Sequence, residues 1–372
     1  MSIYQSVSFK GYKSFDDDTF ALIENIGNVN VIIGKNNSGK SSIVDIFECI
    51  NKSHKRSPII NVSQIDAYFK VDKLAIDGNF RGNVSGGGIP GNHHIYGMQF
   101  IDKTLRVSAY ANSQWLWLSS DFENDFVIPG AKNIWDGCAR SFSSRLSNNA
   151  FRRLSAERNI VPEKATKAMA DLKLSVDGSG ATNIISRYMN VDRMDENLIE
   201  NKLLQALNEI MYPDAEFQRI QTQVVRTDEA DNEDVWEVFL QEKNAGRFPL
   251  SQSGSGLKTI ILVLLNLLVI PRLKDYANKN IVFAFEELEN NLHPALQRRI
   301  FDYIYRHALN EDVSIFLTTH SHVAINAFFS KEKAQIYHVI KNNNKSTIQR
   351  ISSHLDKAGI LDDLDVKASD LW

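Results

Sequence analysis

Gly34 to Ser42 reads GKNNSGKSS, and the segments on either side of it decide the fold. Gly34, Gly39, Lys40 and Ser41 occupy the fixed places of the pattern GxxxxGK[ST]. Before the loop, Val29, Val31, Ile32 and Ile33 form a short apolar run of strand character; after it, Ile43, Val44, Ile46, Phe47 and Ile50 recur at helical spacing. A glycine loop between a strand and a helix start turns backbone N–H groups and the positive end of the helix dipole toward one point, which suits a polyphosphate. The pattern gives Lys40 to the terminal phosphates and the Ser41 hydroxyl to Mg²⁺. Asn36, Asn37, Ser38 and Ser42 complete the phosphate-binding loop.

A second stretch, IVFAFEELENNLHP from Ile281 to Pro294, supplies what hydrolysis requires. Ile281 to Phe285 is continuously apolar, as a strand buried on both faces of a sheet must be, and it ends in Glu286 and Glu287. Carboxylates at the C-terminal end of such a strand stand where open α/β sheets bind ligands. Glu286 is expected to hold the metal through water, since this place is usually Asp, and Glu287 to orient and deprotonate the attacking water.

Two further segments point the same way. SQSGSGLK, Ser251 to Lys258, precedes TIILVLLNLLVI, a run of roughly a dozen apolar residues that is too short to span a bilayer and reads as a buried helix. Ser253, Gly254, Ser255 and Gly256 therefore stand at a helix N-terminus, a second anion-binding element, although Ser and Gly also serve as ordinary caps. FLTTHSH, Phe316 to His322, reads as a buried strand that ends in His320, which can hydrogen-bond a terminal phosphate or the attacking water. The HSH triplet lacks the Cys cluster or second His pair that a zinc site needs. His93 and His94 follow GGGIPGN and read as loop residues.

Taken together, VSFKGYKSF, GKNNSGKSS, LSAERNI (Leu154 to Ile160), PLSQSGSGLK, FEELENNLHP and TTHSH resemble the ATP-binding-cassette ATPases of the SMC and RecF type. The set is most similar to the ATPase domain of the OLD (overcoming lysogenization defect) family. Where that family commonly has EEPE, this chain has Glu286, Glu287, Leu288 and Glu289, a change that affects local stiffness more than chemistry. The resemblance spans nearly the whole chain. It implies an α/β P-loop NTPase of ABC/SMC-head type, with a mixed β-sheet core, an antiparallel β-subdomain and a helical insert lobe. It also implies ATP and Mg²⁺ as ligands, ATP hydrolysis as the reaction, and a homodimer or higher homo-oligomer joined through ATP. Gly34 to Ser42 of one copy would face Ser253 to Gly256 of the other across a two-fold axis. Glu289 to Pro294 would be the D-loop, and Gln64 a metal-sensing glutamine. Of the basic cluster Arg152, Arg153 and Arg158, the resemblance favours Arg158 as functional; the residues themselves fit phosphate contacts, a solvated helix end or an ion pair with Glu157 equally well. Lys10 and Lys13 in the first strands would approach the adenine or its phosphates, although lysines on an exposed strand need no such role.

Many OLD proteins continue into a TOPRIM nuclease. After His322 about fifty residues remain, with one hairpin, YHVIKNNNKSTIQRIS, and a short helical tail in which Asp362, Asp363 and Asp365 read as a solvated charge run. The implied partner is a separate effector, nuclease or toxin, under ATPase control in antiphage defence. A RecF-like repair ATPase on DNA, a truncated nuclease and a non-hydrolysing scaffold stand as alternatives.

Composition agrees with a large soluble ATPase. The 372 residues are 43% hydrophobic and 23% charged, enough for a sizeable core in two lobes. A net charge of −3 gives no overall field toward nucleic acid, so contact with DNA would need a local basic patch. The two cysteines, Cys49 and Cys138, read as free thiols of a reducing, cytoplasmic setting, and the N-terminus MSIYQSVSFKG has no signal pattern. No membrane association is expected. The expected organisation is 1–130 for the first part of the ATPase core, 131–235 for the helical insert, 236–345 for the second part of the core and 346–372 for a tail.

Overall fold

The computed structural model describes residues 5–52, 60–80, 94–110, 117–122, 136–142, 150–165, 172–191, 194–225, 235–273, 281–353 and 359–360. His93, the glycine-rich loop before it, and Asp362, Asp363 and Asp365 lie outside the described residues. The chain divides into two compact units, one of residues 1–151, 312–316 and 328–372, the other of 152–311 and 317–327. These borders differ from the four-part division expected above.

The first unit opens with β1 (Ser6–Lys10), β2 (Ala21–Ile23), β3 (Val29–Ile33), α1 (Lys40–Lys52), β4 (Gln64–Lys70), α2 (Lys73–Asn79), α3 (His94–Met98), β5 (Thr104–Tyr110) and β6 (Trp117–Phe122), followed by a helix α4 over 136–142. An antiparallel sheet takes the order β2-β1-β4-β5-β6. Its register sets Phe9 opposite Ile65 and Val7 opposite Ala67, while Phe69 faces Leu105 and Ala67 faces Val107. All seven are buried, and their period of two along each strand is what puts them on one face. Phe69 stacks on Phe142 of α4 at 4.7 Å between ring centroids. His94 is helical rather than a loop residue and pairs with Asp77 at 2.6 Å. Asp72 caps α2 by accepting from Ala75 N.

A second layer of this unit contains the strand that leads into the glycine loop. β14 (Ala334–Asn342) runs parallel to β3, with Val31 beside Ile336 and Ile33 beside His338, and pairs antiparallel with β15 (Lys345–Ile351) as the expected hairpin. Every residue of β3 is buried. The apolar run before the loop is therefore a central strand, covered on both faces.

The second unit contains β7 (Ala150–Leu154), of which 152–154 belong here, β8 (Glu163–Lys164), α5 (Ala181–Asn190), a π-helical turn Leu198–Leu203 leading into α6 (Leu204–Met211), β9 (Phe217–Val225), β10 (Val235–Glu242) and β11 (Gly246–Pro249). β10 is flanked by β9, β8 and β11, all antiparallel. The stretch 131–235 thus holds β7, β8 and β9 as well as the helices expected there. Then come α7 (Ser255–Leu264), a π segment Leu265–Val269, α8 (Ile270–Leu273), β12 (Ile281–Glu286), α9 (Pro294–Asn310), β13 (Ser314–Thr319), of which 317–319 belong here, and α10 (His322–Phe328), of which 322–327 belong here. β12 is buried along its whole length and lies next to β7 on one side.

The apolar helix requires a correction. From Ser255 to Leu273 it forms 19 continuous helical residues, longer than its apolar run, and by length and composition it could cross a bilayer. What marks it as a core helix is burial: Ile260 to Leu265 are buried without a break inside the protein. Cys49 and Cys138 are both buried and stand outside any disulfide.

One pH effect follows from α9. His307 is partly buried against Tyr303, ring centroids 6.3 Å apart, and loss of hydration holds its pKa below the ordinary 6.5, with Glu311 pulling it back up. Below pH 6.5 the unfolded chain gains a proton that the folded chain refuses, so this histidine lowers stability as pH falls through that range. His307→Phe is expected to shrink the drop in Tm between pH 7.5 and pH 5.5, measured by thermal melts; an unchanged drop would contradict this.

Candidate nucleotide site

The glycine loop of the first unit joins β3 to α1 with the backbone features its sequence demands. Asn37 lies at φ 60° and Gly39 at φ 110°, so the chain turns through the left-handed region twice within three residues. A Cβ on Gly34 would come within 2.4 Å of the Val339 carbonyl oxygen. The loop is tied from outside by β15, where Ser346 Oγ donates to Ser38 O at 2.6 Å and lies 2.7 Å from Ser14 Oγ. The preceding GYKSF segment grips α1, with Tyr12 Oη and Lys13 Nζ both on Asp45, at 3.0 and 2.7 Å.

These residues fit a triphosphate. The Ser38 hydroxyl is buried with no hydrogen-bond partner, a costly arrangement that an anion would relieve. Lys40 is buried, and its ammonium donates to Gly34 O at 2.9 Å and Lys35 O at 3.0 Å, inside the loop itself. Asn36, Asn37 and Ser41 are exposed at the loop and the first turn of α1, and Ser42 is buried behind them. Gln64, at the start of β4, donates to Asp66 Oδ1 at 2.8 Å. Lys13 is engaged by Asp45, and Lys10 Nζ lies 5.2 Å over the Phe20 ring, so both expected nucleotide lysines have protein partners.

In the second unit the end of β12 and the turn after it carry three glutamates, each with its own partners. Glu286 is buried and accepts from Arg153 Nε at 2.6 Å. Glu287 follows at φ 46°, left-handed backbone that a residue with a long side chain rarely adopts, and its N–H donates to Thr318 O at 2.8 Å. Its carboxylate accepts from Asn290 Nδ2 at 3.1 Å. Glu289, also buried, accepts through Oε1 from the Thr319 hydroxyl at 2.7 Å and from the His320 backbone N–H at 2.8 Å, with His320 Nδ1 3.3 Å away. Its other oxygen, Oε2, is buried without a partner, as is Thr318 Oγ1. Gln297 completes this cluster by donating to Leu292 O and accepting from Ser321 Oγ, both at 2.8 Å.

Arginines close it from the other side. Arg158 reaches Glu286 O, Glu287 O, Ser155 O and the Thr259 hydroxyl at 2.6, 2.8, 2.6 and 3.0 Å. Burial pulls its pKa down to about 10, opposed by the charges of Glu289, Glu287 and Glu286, so it stays cationic at neutral pH. Neither Arg153 nor Arg158 stands at a solvated helix end; Arg153 lies on β7 and Arg158 in the loop after it.

The Ser253 to Gly256 segment leads into α7. Ser253 Oγ donates back to Leu250 O at 2.8 Å, and α7 starts at Ser255 without a side-chain cap. A Cβ on Gly256 would lie 2.9 Å from Asn291 O, which packs this turn on the segment after β12. Lys258, buried, ties the turn to Ser251 O and Asn159 Oδ1 at 2.6 and 2.8 Å. Among the described residues no group of three or more His, Cys, Asp and Glu is arranged to hold a metal by itself.

Sequence reasoning missed Glu289 and Gln297 as anchors, Arg153 as the partner of Glu286, and Ser346 as the loop's support. The basic cluster marked Arg153 without naming its partner, and the resemblance put Glu289 at the D-loop; Gln297 and Ser346 carried no signal.

A phosphate loop between a buried strand and a helix, and a buried strand ending in paired carboxylates, define a P-loop ATPase. The chain belongs to the AAA_15 family, described as AAA ATPase domain, which it matches over residues 1–86 and 131–325. No curated protein sequence matches it significantly. Among solved structures it is similar to an SMC head bound to the C-winged helix domain of ScpA, at 13% identity and TM-score 0.49, covering 96% of this chain and 100% of that one. It is also similar to the SMC head domain from Thermotoga maritima, at 13% identity and TM-score 0.46 over 95% and 100% of the two chains. A third is an Smc head with an extended coiled coil bound to the C-terminal domain of ScpA, from Pyrococcus furiosus, at 12% identity and TM-score 0.48 over 98% and 100%.

Proposed function

We propose that this ATPase is a switch that closes as a homodimer around ATP and reopens on hydrolysis. The observation that carries the reading is Gly254. It sits at φ −62° and ψ 147°, which any residue adopts, and a Cβ there would meet nothing within 4 Å. Nothing among the described residues requires glycine at this exposed position. A phosphate held by a facing copy does, because backbone must approach it closely.

The residues then divide the work. Lys40 and the N–H groups of Gly34 to Ser42 bind the phosphates of ATP, and Ser253 to Gly256 of the second copy meet the terminal phosphate. Ser41 holds Mg²⁺, with Glu286 acting through water and Gln64 as a further candidate ligand. The ion, when bound, supplies charge neutralisation on the phosphate oxygens. Glu287 takes the proton of the attacking water, and His320, steadied by Glu289, hydrogen-bonds the terminal phosphate. By resemblance to the OLD family, the cytoplasmic dimer would govern a separate effector, a nuclease or toxin, in antiphage defence.

Gly254→Arg tests the composite site, since the fold has room for the side chain. Expected are an unchanged Tm, an unchanged ATP affinity of the single chain, and loss of ATP-dependent assembly in sedimentation. Assembly equal to that of the unaltered protein would reject the reading.

A further inference from the structure

Arg158 makes no contact that sequence reasoning foresaw. Four of the five N–H groups of a guanidinium are committed here, all to protein oxygens. Two of these are the carbonyls of Glu286 and Glu287, which flank the left-handed Glu287 backbone. A third is the Thr259 hydroxyl, which is buried one turn into α7 behind Ser255. The fourth, Ser155 O, fixes the arginine's own loop. A planar fork with this many fixed partners holds a single position, and lysine cannot reproduce it.

We propose that Arg158 is a positioning residue that joins the start of α7 to Glu287, so that the base is held in its strained, productive geometry only while α7 is in place. Displacement of α7 at Ser253 to Gly256 is carried through Thr259 and the guanidinium to the two carbonyls. Hydrolysis thereby depends on engagement of the α7 end, without Arg158 touching nucleotide. The inference rests on the reading of Glu287 as the base.

The test compares steady-state ATP hydrolysis and ATP affinity of the full chain carrying Arg158→Lys, Glu287→Gln or both. Arg158→Lys is expected to lower kcat by roughly 10²-fold, the cost of misplacing a reacting group by about 1 Å, with ATP affinity within about threefold. The double variant is expected to be no slower than Glu287→Gln alone, because both changes remove the same positioned base. Normal kcat in Arg158→Lys, or losses that multiply in the double variant, would overturn the inference and leave the reading of Glu287 intact. Normal turnover in Glu287→Gln would overturn both. If Arg158→Lys gives no folded protein, Thr259→Val takes its place: a fall in kcat of about threefold or more at unchanged affinity supports the coupling, and an unchanged kcat rejects it.

Discussion

Lys40→Ala is expected to weaken ATP binding by at least about 10²-fold, the loss that follows when a buried ammonium no longer donates charge-assisted hydrogen bonds to phosphate. The effect is large because the site is already built around this side chain. Its Nζ rests on two loop carbonyls, Gly34 O and Lys35 O, within a loop that is pinned by Ser346 and shaped by left-handed Asn37 and Gly39. A nucleotide exchanges two neutral acceptors for charged ones without moving the strand or helix beside it. Titration calorimetry with a non-hydrolysable ATP analogue measures the loss directly. Affinity within about threefold of the unaltered chain would remove Lys40 from the phosphate site. The Tm must be measured beside it, since the variant also leaves those carbonyls without their donor.

Glu287→Gln is expected to leave ATP affinity intact and to reduce turnover by about 10² to 10⁴, the range for loss of a general base. The replacement keeps the side chain's size, so the φ 46° backbone, the bond from Glu287 N–H to Thr318 O and the approach of Asn290 can all persist. What disappears is the capacity to accept a proton. ATP-bound protein should then accumulate in the assembled state, since the step that releases it is blocked. Single-turnover hydrolysis separates this from slow product release. If the variant cleaves ATP at the normal rate, the base lies elsewhere. Glu286 is poorly suited to replace it, because Arg153 occupies its carboxylate at 2.6 Å.

The parts of this site that could be read from sequence are those whose physics is local. GKNNSGKSS carries its own turn glycines and its flanking strand and helix, and IVFAFEE declares a two-face-buried strand ending in carboxylates. Contacts between distant segments left no such mark. Arg153 meets Glu286 across 133 positions, and Ser346 meets Ser38 across 308. β9 was invisible for another reason: its sequence FQRIQTQVV is largely polar and its buried positions do not alternate, so it lacks the period of two that reveals a strand. Apolar length misread α7 to α8, because the helix runs beyond its apolar run at both ends. The left-handed backbone at Glu287 had no signal at all, since neither glycine nor asparagine stands there.

The most direct measurement of the composite site is ATP hydrolysis by a mixture of two inactive variants. Lys40→Ala lacks a working phosphate loop but retains Ser253 to Gly256; Gly254→Arg has the reverse defect. In a two-fold dimer, the mixed pair restores one complete site from one good half of each chain. Each variant alone is expected to be inactive, and the mixture to recover a substantial part of normal turnover. A mixture no more active than the sum of its two components would contradict an ATP site shared between two copies of this chain.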